Sequence, residues 1–184
     1  YTYTDGNGCM NTDTLDIELV GAIIADAGPG DTVCVYDAPI TLTNFTPSGG
    51  TWSGTGIINS TTGEFDPGQV NAGIHTFTYT IGSGTCEDTD QTTVLVRGVP
   101  NVNAQNDEFV CVSEAPFDVI TATVVNATGN GYWSGTGITD SIAGTFDPAL
   151  AGDGTHTLTY TFIDDIGGCE GSDTKNVIVY PLPN

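Results

Sequence analysis

Trp52-Ser53-Gly54-Thr55-Gly56-Ile57 and His75-Thr76-Phe77-Thr78-Tyr79-Thr80 each occur twice, returning as Trp133-Ser134-Gly135-Thr136-Gly137-Ile138 and His156-Thr157-Leu158-Thr159-Tyr160-Thr161. Between them Phe65-Asp66-Pro67 returns as Phe146-Asp147-Pro148, so one register holds over a repeat of about 81 residues. In the second run His75, Phe77, Tyr79 and Ile81 alternate with Thr76, Thr78 and Thr80, which gives a strand one buried and one wet face. Ile40, Leu42 and Phe45 read the same way. Further runs at 22–25, 32–36, 51–58, 64–65 and 92–96 complete about seven short strands per copy. The expected fold is therefore all-β, a tandem of β-sandwiches. Asp66-Pro67 and Asp147-Pro148 suit the N-cap and first position of a single helical turn, closed by Gly73 and by Gly152 or Gly154, at a corner between the two sheets.

Outward from this stretch, Val33-Cys34-Val35 matches Val110-Cys111-Val112, and a Gly/Asn-rich loop at 126–131 absorbs the difference in spacing. Tyr1-Thr2-Tyr3-Thr4 followed by Cys9 reads as the closing hairpin of a preceding copy, and 177–183 takes the place of 94–100, the link between copies. The expected division is 1–20, 21–100 and 101–184.

Composition agrees with strands and turns. The 184 residues include 30 Thr and 25 Gly but few of the residues that build surface helices. Against 23 Asp and Glu stand only Arg97 and Lys175, a formal charge of −21, which repels nucleic acid and anionic lipid alike. No run approaches the ~18 apolar residues of a membrane helix, and Tyr1-Thr2-Tyr3-Thr4 has no signal-peptide character. The expectation is a soluble piece of a longer protein without membrane insertion. Five Cys with no C-x-x-C pair point to an oxidising, extracellular setting.

Ala25-Asp26-Ala27-Gly28-Pro29-Gly30-Asp31-Thr32-Val33-Cys34, Gly50-Thr51-Trp52-Ser53-Gly54-Thr55-Gly56, Phe65-Asp66-Pro67 and Thr78-Tyr79-Thr80 resemble the Ig-like or PKD-like repeats of giant bacterial cell-surface adhesins, such as the SprB-like gliding-motility adhesins. The resemblance covers both copies and the leading hairpin. It implies a non-enzymatic stalk or adhesive filament exported by type IX secretion and displayed on the bacterial cell surface, attached to the outer membrane. The partners it implies are neighbouring repeats of the same chain, an extracellular surface or polysaccharide, and motility or secretion machinery reached through other parts of the protein. The alternative is an accessory carbohydrate-binding or spacer module of a secreted multidomain enzyme.

Cys34 and Cys86 lie 52 positions apart, Cys111 and Cys169 58 apart, and each pair brackets a Trp as in immunoglobulin domains. Pairing within each copy is the expected connectivity, with Cys9 left to a missing partner. Cys9–Cys34 with Cys86–Cys111, both 25 apart, is the alternative.

Trp52 and Trp133 occupy the place of the buried Ig-type Trp, which favours core packing over a sugar platform. His75 and His156 recur in register, but no nucleophile or acid–base partner is tied to either, so no enzyme is expected. Asp26 and Asp31 before the first Cys, Asp88 and Asp90 after the second, then Asp107, Glu108, Asp164, Asp165 and Asp173 are candidate ligands of a structural Ca²⁺ at the sandwich edge, if the segments holding Cys34 and Cys86 lie side by side. The competing reading is a solvated acidic face. The resemblance further implies O-glycosylation at Asp-Ser/Thr-apolar triplets, which places candidate sites at Thr14, Thr32 and Ser141.

Overall fold

The Thr-alternating runs become the longest strands of the computed structural model, which describes residues 1–16, 21–125 and 127–183. A short hairpin, β1 (Thr2–Thr4) with β2 (Met10–Thr12), comes first. Among the described residues the first copy then contributes β3 (Asp31–Cys34), β4 (Ile40–Thr41), β5 (Thr51–Ser53), β6 (Ile57–Asn59), β7 (Glu64–Phe65), β8 (Gly73–Ile81) and β9 (Asp88–Arg97). The second contributes β10 (Asn101–Asn103), β11 (Glu108–Cys111), β12 (Phe117–Asp118), β13 (Thr123–Val125), β14 (Gly129–Ser134), β15 (Ile138–Asp140), β16 (Thr145–Phe146), β17 (Gly154–Asp164) and β18 (Glu170–Tyr180). In the first copy β3-β9-β8-β5 form one sheet and β4-β7-β6 the other; β11-β18-β17-β14 and β12-β16-β15 repeat both in the second. The second copy adds a β10–β13 ladder where the first has the single bridge Asp26–Thr46.

Side-chain alternation along β8 is as the sequence pattern requires: Phe77, Tyr79 and Ile81 are buried and His75 is half-buried. Each copy closes its own core. The first is built from Trp52, Phe65, Phe77, Tyr79, Val94 and Val96, the second from Trp133, Phe146, Leu158, Val177 and Val179. Both Trp are core residues, each 2% exposed.

Two expected elements differ. No strand forms at 22–25; the N–H groups of Ala25 and Ala27 instead donate to the carboxylates of Asp88 and Asp90 at the start of β9, each at 2.8 Å. Side-chain acceptors there replace a strand partner. The run 51–58 splits, because Ser53-Gly54-Thr55-Gly56 carries the chain from the four-stranded sheet at β5 to the three-stranded sheet at β6. This crossing explains the recurring glycines: a Cβ at Gly54 would lie 2.5 Å from the Phe77 ring and one at Gly56 2.7 Å from the Phe65 ring, and both residues have positive φ.

A second crossing, from β7 to β8, uses the helical turn. Asp66 accepts from Gly68 N–H at the head of a 3₁₀ turn (Pro67–Gln69), and Asp147 accepts from Ala149 and Leu150 N–H at the head of one α-turn (Pro148–Ala151). The second turn closes at Gly152 as expected, whereas the first closes at Val70, one turn short of Gly73. Among the described residues no helix is long and apolar enough to cross a membrane.

Strand direction decides which cysteines and which carboxylates can meet. β3 pairs with β9 in parallel, Asp31 opposite Val94 and Cys34 opposite Arg97, and β11 pairs with β18 the same way, Cys111 opposite Tyr180.

Candidate functional site

Parallel pairing puts Cys34 beside Arg97, at the last residue of β9, while Cys86 precedes the first residue of the same strand. Ten residues of β9 separate the two ends, roughly 30 Å, several times the Cα spacing a disulfide tolerates. The expected bridges Cys34–Cys86 and Cys111–Cys169 therefore do not form, and neither does the alternative set. Cys34 bonds instead to Cys169, across the junction between copies, with Cα atoms 5.5 Å apart. Cys9, Cys86 and Cys111 are free and exposed.

The junction is built from the end of the first copy's β3–β9 pair and the turn between β17 and β18. Gly167, at φ +84°, packs that turn so closely that an added Cβ would lie 3.2 Å from Thr32 Cγ2. The Arg97 guanidinium donates to Asp164, which also accepts from Ile166 N–H at 2.7 Å and so shapes the turn that carries Cys169. Arg97 and then the Ile166 amide hold the Asp164 carboxyl below the usual aspartate range. Tyr36 completes the contact: its hydroxyl accepts from Glu170 N–H and donates to Glu170 O at 3.2 Å. Beside the link at Gly98 and Pro100 lies an open groove of about 430 Å³, bordered also by Ala72, Leu95 and Asp164.

The acidic residues proposed as calcium ligands do not converge. Asp31 sits opposite Val94, six positions along β9 from Asp88, roughly 20 Å away. Asp26 accepts from Gly28 N–H, Asp31 from Thr32 N–H, Asp88 from Ala25 N–H and Asp90 from Ala27 N–H. In the second copy Asp173 accepts from Ala104 N–H, Asp107 from Asn176 N–H, Asp165 from the Asn130 amide, and Glu108 from Ile120 N–H and the Lys175 ammonium. Among the described residues no group of three His, Cys, Asp or Glu side chains is placed to hold a metal ion. Asp88, Asp90 and Asp173 are hydrogen-bond acceptors for the Ala25, Ala27 and Ala104 N–H groups, which lie outside the strands. The Ala27 amide and then that of Gln91 lower the Asp90 pKa, and the Ala104 and Thr174 amides do the same at the equivalent Asp173.

Both histidines bond to a backbone carbonyl. His75 Nε2 bonds to Asn71 O at 2.8 Å and His156 Nε2 to Gly152 O at 2.9 Å, each tying the helical turn to the following strand. Of the candidate glycosylation positions, Thr14 and Ser141 are exposed, and Thr32 is half-buried against Gly167.

Arg97, Tyr36 and the 164–170 turn carry no motif that sequence reasoning would select. One signal was present: the chain has only two cations, and both are used in ion pairs, Arg97 with Asp164 between copies and Lys175 with Glu108 inside the second.

No family model matches this chain, and no curated protein does. Among solved structures it is similar to a Drosophila N-cadherin EC1-3 fragment at 9% identity, covering 87% of this chain and 65% of that one with a TM-score of 0.37. Fibronectin(III)-like modules of Clostridium thermocellum CbhA align at 16% identity over 85% of this chain and 93% of theirs, TM-score 0.36. A SusE-like surface-located polysaccharide-binding protein of Bacteroides thetaiotaomicron aligns at 11% identity over 85% of this chain and 34% of that one, TM-score 0.37. The chain thus spans just under two thirds of the cadherin fragment and about a third of the polysaccharide-binding protein.

Proposed function

We propose that this chain is a non-enzymatic stalk segment of an extracellular bacterial adhesin, in which successive Ig-like copies are locked end to end. The carrying observation is the Cys34–Cys169 bridge between copies, reinforced by Arg97–Asp164 and Tyr36–Glu170. A cystine of this kind belongs to an oxidising compartment outside the cytoplasm. A junction fixed at three points holds the two copies in one relative orientation, so contact points on successive copies keep their spacing, and many weak contacts add through effective concentration. On this reading the segment 1–20 is the closing hairpin of a preceding copy, the charge of −21 keeps a long filament dispersed, and Thr14 and Ser141 are open to glycosylation. The resemblance to gliding-motility adhesins supplies the finer assignment: export by type IX secretion, attachment at the outer membrane and adhesion to a surface or polysaccharide.

The test is made on the organism that produces the chain. Antibodies raised against it should label intact cells, and in-frame deletion of its gene should abolish attachment to glass. Labelling confined to lysed cells, or unchanged attachment, overturns the proposal.

A further inference from the structure

Cys111 is the second copy's counterpart of Cys34, and its backbone setting is the same. Val35 N–H donates to Arg97 O at 2.9 Å and Asp37 N–H to Cys34 O at 3.0 Å; Val112 N–H donates to Tyr180 O at 2.9 Å and Glu114 N–H to Cys111 O at 3.0 Å. With the shared parallel register, the platform that receives a cysteine hairpin on the first copy is built again on the second. Its cover differs. Cys34 is 1% exposed beneath the 164–170 turn, whereas Phe109 is 66% exposed, Tyr180 50% exposed, and the Cys111 thiol is free. Phe109 and Tyr180 stand where Thr32 and Arg97 stand in the first copy, and their rings stack with centroids 6.4 Å apart and planes at 16°. Two large exposed rings flanking a free thiol, on a surface whose counterpart is covered, mark an interface.

The occupant can be read from the covered case, where a cysteine hairpin of the same repeat sits. The chain carries another such hairpin, tipped by Cys86, and its chemistry suits this face. The Cys169 hairpin has Ile163-Asp164-Asp165-Ile166-Gly167-Gly168 before its Cys; the Cys86 hairpin has Gly82-Ser83-Gly84-Thr85, two residues shorter and without the acids. The platform that holds Arg97 takes the acidic hairpin, and the platform with Tyr180 in that position offers no cation and needs no acid.

We propose that Phe109, Cys111 and Tyr180 form a docking face for the cysteine hairpin of another copy of this repeat, closed by a disulfide in the manner of Cys34–Cys169. Bridge formation removes two electrons and two protons from the paired thiols, taken up by a disulfide oxidant; with glutathione disulfide the products are the protein cystine and two glutathione molecules. The face continues the end-to-end locking of the proposed stalk, on which it rests, and its test does not involve adhesion.

The test uses the full chain in a Cys9→Ser background. Cys86→Ser and Cys111→Ser proteins are mixed in a glutathione redox buffer, so that one supplies only the Cys111 face and the other only the Cys86 hairpin. Non-reducing peptide mapping should show the Cys86–Cys111 heterodimer roughly ten-fold in excess over the two homodimers. Phe109→Asp with Tyr180→Asp, both on exposed positions, should lower that yield several-fold. Heterodimer at or below the statistical share, or a yield indifferent to the two aromatic substitutions, overturns the proposal. The Cys34–Cys169 peptide in the same map separates the outcomes: its presence without the heterodimer sinks this face alone, and its absence sinks the locked junction as well.

Discussion

The two copies share a fold and a motif set but fill their interiors differently. In the first, Phe45, Trp52 and Tyr79 form an aromatic trio with centroids 4.9 to 5.4 Å apart, and the Tyr79 hydroxyl donates to Pro47 O while accepting from Gly50 N–H. The second has Ala122 in place of Phe45 and Leu158 in place of Phe77. It brings in Lys175 where the first has Thr92, its ammonium 5.7 Å from the Trp133 ring and paired with Glu108, the counterpart of Asp31. Placement of strands and crossings is thus held constant while the chemistry filling the space varies, an aromatic cluster in one copy and a cation over an indole in the other. The ends differ as well: Cys34 is joined to a neighbour and Cys111 is not.

The largest effect that would break this comparison concerns the bridge. Its 135-residue separation corresponds in the loop-entropy model to at most about 5 kcal/mol, so Cys34→Ser should lower stability in urea by a large part of that amount. Cys86→Ser and Cys111→Ser should leave the unfolding midpoint unchanged; a comparable loss from either would mean that pairing within a copy dominates in solution.

Next comes the buried ion pair. Lys175 is fully buried, so Glu108→Ala strands its charge and should cost about 3 kcal/mol, whereas Asp31→Ala at the equivalent place should cost less than about 0.5 kcal/mol. Converting the second copy to the first copy's residues, Lys175→Thr with Glu108→Asp, should recover most of the loss. Equal sensitivity of the two copies in urea melts would erase the distinction between their interiors.

A smaller effect is acid sensitivity. Asp90, Asp164 and Asp173 all have folded-state pKa values below the ordinary one, so the unfolded chain binds more protons in the interval between the two. Their contribution is complete above the unfolded value near pH 4 and is lost as pH falls through the lowered folded values. Melting temperature should therefore drop below about pH 4, and Asp90→Asn or Asp173→Asn should flatten the drop for its own copy alone. A profile unchanged by either substitution would refute the clamp role of these carboxylates.

The smallest effect is expected from calcium. Because the candidate carboxylates are already occupied by N–H donors, millimolar Ca²⁺ should shift the melting temperature no further than matched Mg²⁺. A calcium-specific rise abolished by Asp88→Asn would restore the cation site.

Alternation along 73–81 and the doubled Trp-Ser-Gly-Thr-Gly-Ile motif were enough to read strands, buried faces and repeat, since period two and close glycine contacts are written locally in the chain. Asp66 and Asp147 as caps were legible for the same reason. The direction of β3 was not. Val33 and its neighbours alternate identically whether the strand runs with β9 or against it, and the cysteine connectivity and the clustering of acids both hung on that choice. The residues at 22–25 looked like a strand because they are apolar, but the Ala25 N–H is taken by the side chain of Asp88, and that of Ala27 just beyond by Asp90, which no periodicity announces.

The Cys34–Cys169 bond also decides how the molecule responds to pulling. A load applied at the two ends travels along residues 1–34, crosses the sulfur–sulfur bond and leaves through 169–184, so everything from 35 to 168 lies on a closed loop that carries no tension. Both cores are largely inside that loop. Stretched to the limit, the oxidised chain can lengthen to about 175 Å, against roughly 640 Å once the bond is cut. A single covalent shortcut cuts the reach of this segment more than threefold, and a reductant would turn it into a long, yielding tether.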